Sequence, residues 1–174
     1  MQLLISNTQI QQRVRELALQ IKQEHEDSKC SLPPVLICVL NGAVMFYTDM
    51  LKALHEQSIE CEVDFIRAKS YQGQDNSEGV IITKELEVEL KGKRAYIIED
   101  IVDTGETMFE ILMRVGEKNP LSVKVITLLH RDSSPQWVDS LVDYHAFTIQ
   151  DQWVAGYGLD DKGLKRNYTD VYAL

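Results

Sequence analysis

The apolar positions of this chain alternate between a helical and a strand spacing. Ile10, Val14, Leu17, Ala18 and Ile21 recur at i, i+4, i+7, i+8 and i+11, which predicts an amphipathic helix over residues 8–22 capped by Asn7 or Thr8. After Ser31-Leu32-Pro33-Pro34, the unbroken apolar run Val35–Leu40 predicts a strand buried on both faces. Asn41-Gly42 then turns into a second helix from Val44 to about His55. Cys61, Val63 and Phe65 alternate with acids, the period of a strand. Short strands are predicted at Val80–Thr83 and Leu86–Leu90, and a buried one at Ala95–Ile98. The helix that follows reaches about Lys118, where Asn119-Pro120 stops it. Val123–Leu129 is another buried strand, and Leu141–Thr148 and Tyr168–Leu174 are weaker candidates. Between the strands, Ser70–Glu78 is polar and turn-rich, long enough for a mobile lid or an idle loop.

Buried strands alternating with amphipathic helices imply an α/β fold with a doubly wound, mainly parallel sheet flanked by helices. The N-terminal residues and the segment after about residue 150 are free to build a small hood over the carboxyl edge of that sheet. A length of 174 residues suits one domain, taken here as 1–174, with a substantial core. No apolar run reaches the roughly 20 residues of a membrane span, so no membrane partner is expected. Met1–Ser6 lacks the basic start and long apolar core of a signal peptide. Cys30, Cys38 and Cys61 form no C-x-x-C pair, and such an odd set predicts reduced thiols in a cytoplasmic setting. The net charge of −9 argues against a nucleic-acid partner. It also means that a polyanionic ligand would need a metal and placed cations, such as those near Arg67 and Lys69 or at Lys162, Lys165 and Arg166.

Chemistry concentrates in Ala95–Met108. Apolar residues lead into the acid pair Glu99-Asp100, then a third acid, Asp103, then Thr104-Gly105-Glu106-Thr107 at the start of a helix. In open α/β sheets, ligands sit at the carboxyl ends of such strands. The turn supplies backbone N–H groups, two hydroxyls and a helix N-terminus, all suited to a phosphate. Gly105 permits a positive φ and close approach of a ligand to the main chain. The acids offer oxygens to sugar hydroxyls, to Mg²⁺ or to a proton. A phosphorylated sugar satisfies every part.

This block resembles the 5-phosphoribosyl-1-pyrophosphate (PRPP) signature of the type I phosphoribosyltransferases, and its Glu-Asp-Ile-Val-Asp-Thr-Gly form is closest to the hypoxanthine-guanine branch. The similarity runs in matching order from about Val35 to Arg166. It implies that Leu40-Asn41-Gly42 is the pyrophosphate loop, with an unusual, often cis, peptide at Leu40-Asn41 or Asn41-Gly42. It implies that Ser70-Tyr71 belongs to a flexible loop closing over the substrates. Glu99 and Asp100 would hold the ribose hydroxyls and their Mg²⁺, which requires the strand to have given way to the turn, since neighbouring strand residues face opposite sides. Asp103 would face N7 of the purine as general base, and Thr104, Gly105, Glu106 and Thr107 would cradle the 5-phosphate. Trp153 would stack on the purine, Val154 would offer its carbonyl to the exocyclic group, Asp160 would hold a pyrophosphate-bound Mg²⁺, and Arg166 would contact pyrophosphate.

One position departs from the family pattern. Where relatives carry an aspartate and a lysine after the strand at Val123–Leu129, this chain has His130-Arg131. Arginine retains the charge and donates in a planar fork, so Arg131 is the expected reader of the purine 6-oxygen. The resemblance therefore implies a cytoplasmic purine-salvage enzyme that joins hypoxanthine or guanine to PRPP with Mg²⁺ as cofactor, working as a homodimer or homotetramer. The alternatives are a PRPP-sensing regulator on the same fold and a transferase that prefers xanthine or a pyrimidine. A nicotinamide-binding oxidoreductase is excluded, because the first strand is followed by Leu-Asn-Gly-Ala-Val-Met and not by G-x-G-x-x-G.

Overall fold

A computed structural model describes residues 1–72 and 78–174. Residue parity along the central strands sets the layers. In β2 (Val35–Val39), Leu36 and Cys38 pack against the helices α1 (Asn7–Asp27) and α2 (Val44–Glu56). Val35, Ile37 and Val39 face the opposite layer with Met108, Ile111 and Val115 of α3 (Glu106–Glu117). The same alternation in β5 (Arg94–Ile101) sends Tyr96 and Ile98 to one core and Ala95 and Ile97 to the other. A strand with two apolar faces can be satisfied only between two helix layers.

The main sheet has the order β4-β3-β2-β5-β6-β7, with β3 (Glu62–Gln72), β4 (Glu78–Lys84), β6 (Ser122–Arg131) and β7 (Tyr144–Ile149) completing it. Every pairing in it is parallel except that of β3 with β4. From β2 the chain moves outward to β3 and β4, then crosses to β5 on the other side. The switch point therefore lies between the carboxyl ends of β2 and β5.

A second sheet of three strands, ordered β1-β9-β8, joins Gln2–Ile5 (β1), Val171–Ala173 (β9) and Val154–Ala155 (β8), all antiparallel. Strand β9 falls within the candidate Tyr168–Leu174, whereas β1 and β8, of four and two residues, carry too little periodicity to be read from sequence, and the pairing of all three is non-local. The single-turn helix α4 (Gln136–Asp139) is likewise new. Helix α1 runs five residues past the predicted end, and its cap is Ser6, one residue before the predicted pair: the Ser6 hydroxyl accepts from Gln9 N, and the Gln9 side chain accepts from Ser6 N at 2.9 Å.

Two segments differ from expectation. Ser70 and Tyr71 belong to strand β3, paired with Val80 and Gly79 of β4, and not to a loop; residues 73–77 of the polar stretch lie outside the described residues. Leu86–Leu90 is no strand. Its amides at Glu87 and Val88 donate to the buried Asp64 carboxylate, at 2.7 and 2.9 Å, instead of to a neighbouring strand. Leu86 and Leu90 still enter the core.

Candidate active site

The two loops at the switch point meet in space. Strand β2 ends at Val39 and is followed by the cis peptide Leu40-Asn41 and then Gly42. Against Gly42 lies Asp100: a Cβ built on Gly42 would fall 1.6 Å from Asp100 Oδ2. On another side lies Gly158, whose φ is +100° and whose own Cβ would fall 1.9 Å from the Gly42 carbonyl oxygen. Glycine is thus required at both positions, sterically at Gly42 and for both space and backbone conformation at Gly158.

Strand β5 runs on to Ile101, so Glu99 and Asp100 are both strand residues, contrary to the expectation that the strand would already have ended. Both carboxylates are nonetheless at the site. Glu99 lines a cavity of about 170 Å³ with Asp103, Thr104, Gly105, Thr107 and Met108. Asp100 reaches across to the β2 loop. Glu99 is pushed well above the ordinary carboxylate range by burial and then by the neighbouring Asp100 charge. Asp100 is also raised, by burial, against the opposing pull of backbone donors and of Arg166. Adjacent buried acids of this kind favour a cation between them. Among the described residues no group of three or more His, Cys, Asp or Glu gathers as a metal cage. The Glu99-Asp100 pair alone could hold a cation such as Mg²⁺, which takes one or two carboxylates and completes its shell with water and substrate oxygens.

The turn from Thr104 to Thr107 is shaped by Gly105, whose φ of +83° and whose approach to Trp137, 2.6 Å from a built Cβ to the indole, exclude a side chain. Glu106, expected in the phosphate cradle, lines a neighbouring groove with Phe109, Glu110 and Trp137, and is not part of the cavity wall. Tyr71 lies over Gly79, where a Cβ would meet its ring at 2.7 Å.

Arg131, at the end of β6, is held by three acceptors. Its Nε lies 3.3 Å from Asp103 Oδ1, and its Nη1 lies 3.1 Å from Asp151 Oδ1 and 3.0 Å from the Gln152 carbonyl. This ties the third acid of the signature to the segment that carries Trp153. The role of Asp151 and Gln152 was not visible in sequence, where nothing marks them apart from other polar residues before a tryptophan. Trp153 is 80% exposed, with its indole open to solvent, whereas Val154 in β8 is buried. Asp160 pairs with Arg166 and accepts from Gly163 N at 2.7 Å. Arg166 also donates to the Gly158 carbonyl at 2.7 Å. His130 is half-buried, contacts Asp139 at 3.1 Å and stacks on His145, so it braces the strand ends and does not sit at the surface.

A doubly wound sheet with acids, a helix-starting turn and a cis-peptide loop at its switch point is the architecture of a nucleotide-binding α/β protein. The comparisons make the class specific: the phosphoribosyl transferase domain family matches residues 4–162, and the chain belongs to that family. The hypoxanthine-guanine-xanthine phosphoribosyltransferase of Tritrichomonas foetus is 38% identical over 164 residues, covering 94% of this chain and 86% of that protein. The hypoxanthine phosphoribosyltransferase of Salmonella typhimurium is 35% identical, covering 91% and 86%. Among solved structures, the L. donovani hypoxanthine-guanine phosphoribosyl transferase superposes with a TM-score of 0.92 at 29% identity, covering 100% of this chain and 96% of that one.

Proposed function

We propose that this protein transfers the phosphoribosyl group of PRPP to N9 of a 6-oxopurine, hypoxanthine or guanine, releasing pyrophosphate and the nucleoside 5′-monophosphate. The observation that carries this reading is the convergence, at one switch point, of the Glu99-Asp100 pair, the turn from Thr104 to Thr107 and the Leu40–Gly42 loop. The relatives are named for 6-oxopurines, which supports that class of base.

In this reading, the turn amides and the Thr104 and Thr107 hydroxyls bind the 5-phosphate at the N-terminus of α3. Glu99 and Asp100 take the ribose hydroxyls. The backbone of Leu40, Asn41 and Gly42 and the guanidinium of Arg166 hold the pyrophosphate. Trp153 and Val154 form a shelf for the base, Arg131 donates to O6, and Asp103 accepts the purine proton at N7. Ser70 and Tyr71, on the β3–β4 hairpin, close the substrate side. A Mg²⁺ held by Glu99 and Asp100, with a second near Asp160, would supply charge neutralisation to the leaving diphosphate. Positioning is most of the work: alignment of N9 with ribose C1 turns a two-substrate encounter into an effectively intramolecular one. Residues 1–174 act as one domain, with the β1-β9-β8 sheet as part of the hood. The setting is the cytoplasm, and the working form is a homodimer or homotetramer, as the resemblance implies; neither nucleic acid nor membrane is a partner.

Pyrophosphate release, measured with PRPP, Mg²⁺ and one base at a time, tests this. Turnover with hypoxanthine or guanine and none with adenine is expected. PRPP binding without turnover of any base would replace the enzyme with a sensor.

A further inference from the structure

One buried hydroxyl links the two halves of the proposed site. Tyr157 is fully buried in the middle of the hood segment and donates from its phenol to Asp49 Oδ2 at 2.7 Å. Asp49 lies on α2, the helix that starts two residues after Gly42. Its carboxylate also accepts from Gln11 of α1 at 2.6 Å and from Lys52 at 3.0 Å. Burial by itself would raise the Asp49 carboxyl, but the donors from Tyr157, Gln11 and Lys52 outweigh it and hold the group below its ordinary value. It is therefore an anion that fixes three elements at once.

The backbone around Tyr157 is committed to this arrangement. Gly156, Tyr157 and Gly158 have φ of +101°, +50° and +100°. A positive φ at a tyrosine is uncommon and persists only where the surroundings over-determine it. The amides of Tyr157 and Gly158 donate to the carbonyls of Tyr168 and Arg166, at 2.8 and 2.9 Å. Gly158 then abuts the Gly42 carbonyl. Four residues before Tyr157 is Trp153, and three residues after it is Asp160.

We propose that Tyr157 and Asp49 are a positioning pair that sets the separation between the base shelf at Trp153-Val154 and the loop at Leu40-Asn41-Gly42. The inference rests on the function proposed above for these two surfaces. Neither residue touches substrate. The pair acts by holding the segment from Trp153 to Asp160 in register with α2, so that base and leaving group are presented at a fixed distance.

The test is Tyr157→Phe, with Asp49→Asn, Asp49→Ala and the double variant Tyr157→Phe/Asp49→Ala, assayed well below their melting temperatures. Tyr157→Phe is expected to lower kcat roughly tenfold or more, as ångström-scale misplacement does, with the Kd for PRPP within about twofold. Asp49→Asn, whose amide oxygen still accepts from the phenol, keeps most of the turnover. Asp49→Ala falls as far as Tyr157→Phe, and the double variant falls no further, the non-additivity of a coupled pair. A purely structural role would lower the melting temperature and leave kcat intact, and that result overturns the proposal. Amide exchange at residues 156–159, read without substrate, decides the geometric part separately: protection should drop at least about tenfold in Tyr157→Phe. Unchanged protection overturns the pair even if the wild-type protein transfers no base, whereas an inactive wild type with lost protection in the variant refutes only the function.

Discussion

Arg131 Nε lies 3.3 Å from Asp103 Oδ1, so the residue proposed to read the purine and the residue proposed to take its proton are already in contact without substrate. The other edge of the same guanidinium is spent on Asp151 and on the Gln152 carbonyl. A lysine has one nitrogen and cannot span acceptors on both sides in this way. Arg131→Lys should therefore retain turnover but change the kcat/KM ratios among hypoxanthine, guanine and xanthine. Arg131→Met, which leaves O6 without a donor, should lose roughly 100-fold or more in kcat/KM for every oxopurine. Identical ratios in wild type and Arg131→Lys would remove Arg131 from specificity.

Asp103 is 70% exposed at its side chain, accessible to a ligand in the cavity it lines. Asp103→Asn keeps shape and the contact to Arg131 while removing the base. Turnover is expected to fall by about 10² to 10⁴, the usual contribution of a positioned acid or base. PRPP binding, measured by calorimetry, should change little. Unaltered turnover would reassign the proton.

The Glu99-Asp100 pair makes a pH prediction. Both folded-state values are raised above the ordinary ones, Glu99 by the larger margin: Glu99 by burial and then by the Asp100 charge, Asp100 by burial against the opposing pull of its hydrogen bond with Glu99. Over the window between the ordinary carboxylate value and the raised one, the folded state binds more protons than the unfolded state. Stability from this site is therefore present at low pH and lost as pH rises through that window. Glu99→Gln should flatten this part of the pH profile of the melting temperature. Mg²⁺ with PRPP should raise the wild-type melting temperature more at pH 8 than at pH 5.5, and equal shifts at both would refute the cation assignment.

Gly158→Ala would place a methyl group 1.9 Å from the Gly42 carbonyl oxygen and strain a φ of +100°. The backbone strain by itself costs about 1–3 kcal/mol, and the hood must move to relieve the clash. Destabilisation of that size should be accompanied by a larger KM for PRPP, because the β2 loop is what the hood presses on. Gly116→Ala, inside α3 where a Cβ meets nothing within 4 Å, is the control: it should leave the KM for PRPP unchanged and stabilise the fold by up to about 1 kcal/mol, the ordinary helix-propensity gain.

Much of this site could be read in one dimension. The apolar run at Val35–Val39, the acids at Glu99, Asp100 and Asp103 and the turn at Thr104–Thr107 are contiguous, so local chemistry and strand parity specify them. What the linear chain left open were the contacts between distant segments. The sequence shows Arg131 as a departure from its relatives, but only the folded chain brings it to Asp103 on one side and Asp151 on the other. Glu106 stands next to Thr107 in sequence, yet only the fold shows that it also lines a groove with Phe109 and Trp137. Ser70 and Tyr71 read as loop because polar residues surround them, yet backbone pairing with β4 makes them strand. Of the β1-β9-β8 sheet, which brings both ends of the chain together, only β9 is signalled locally, within the candidate Tyr168–Leu174; its partners and their pairing are not. Periodicity and turn chemistry act over neighbouring residues and were determined by sequence alone. The register of the hood against the sheet is a sum of long-range hydrogen bonds and close packing, such as Tyr157 on Asp49 and Gly158 on Gly42, and only the tertiary structure decides it.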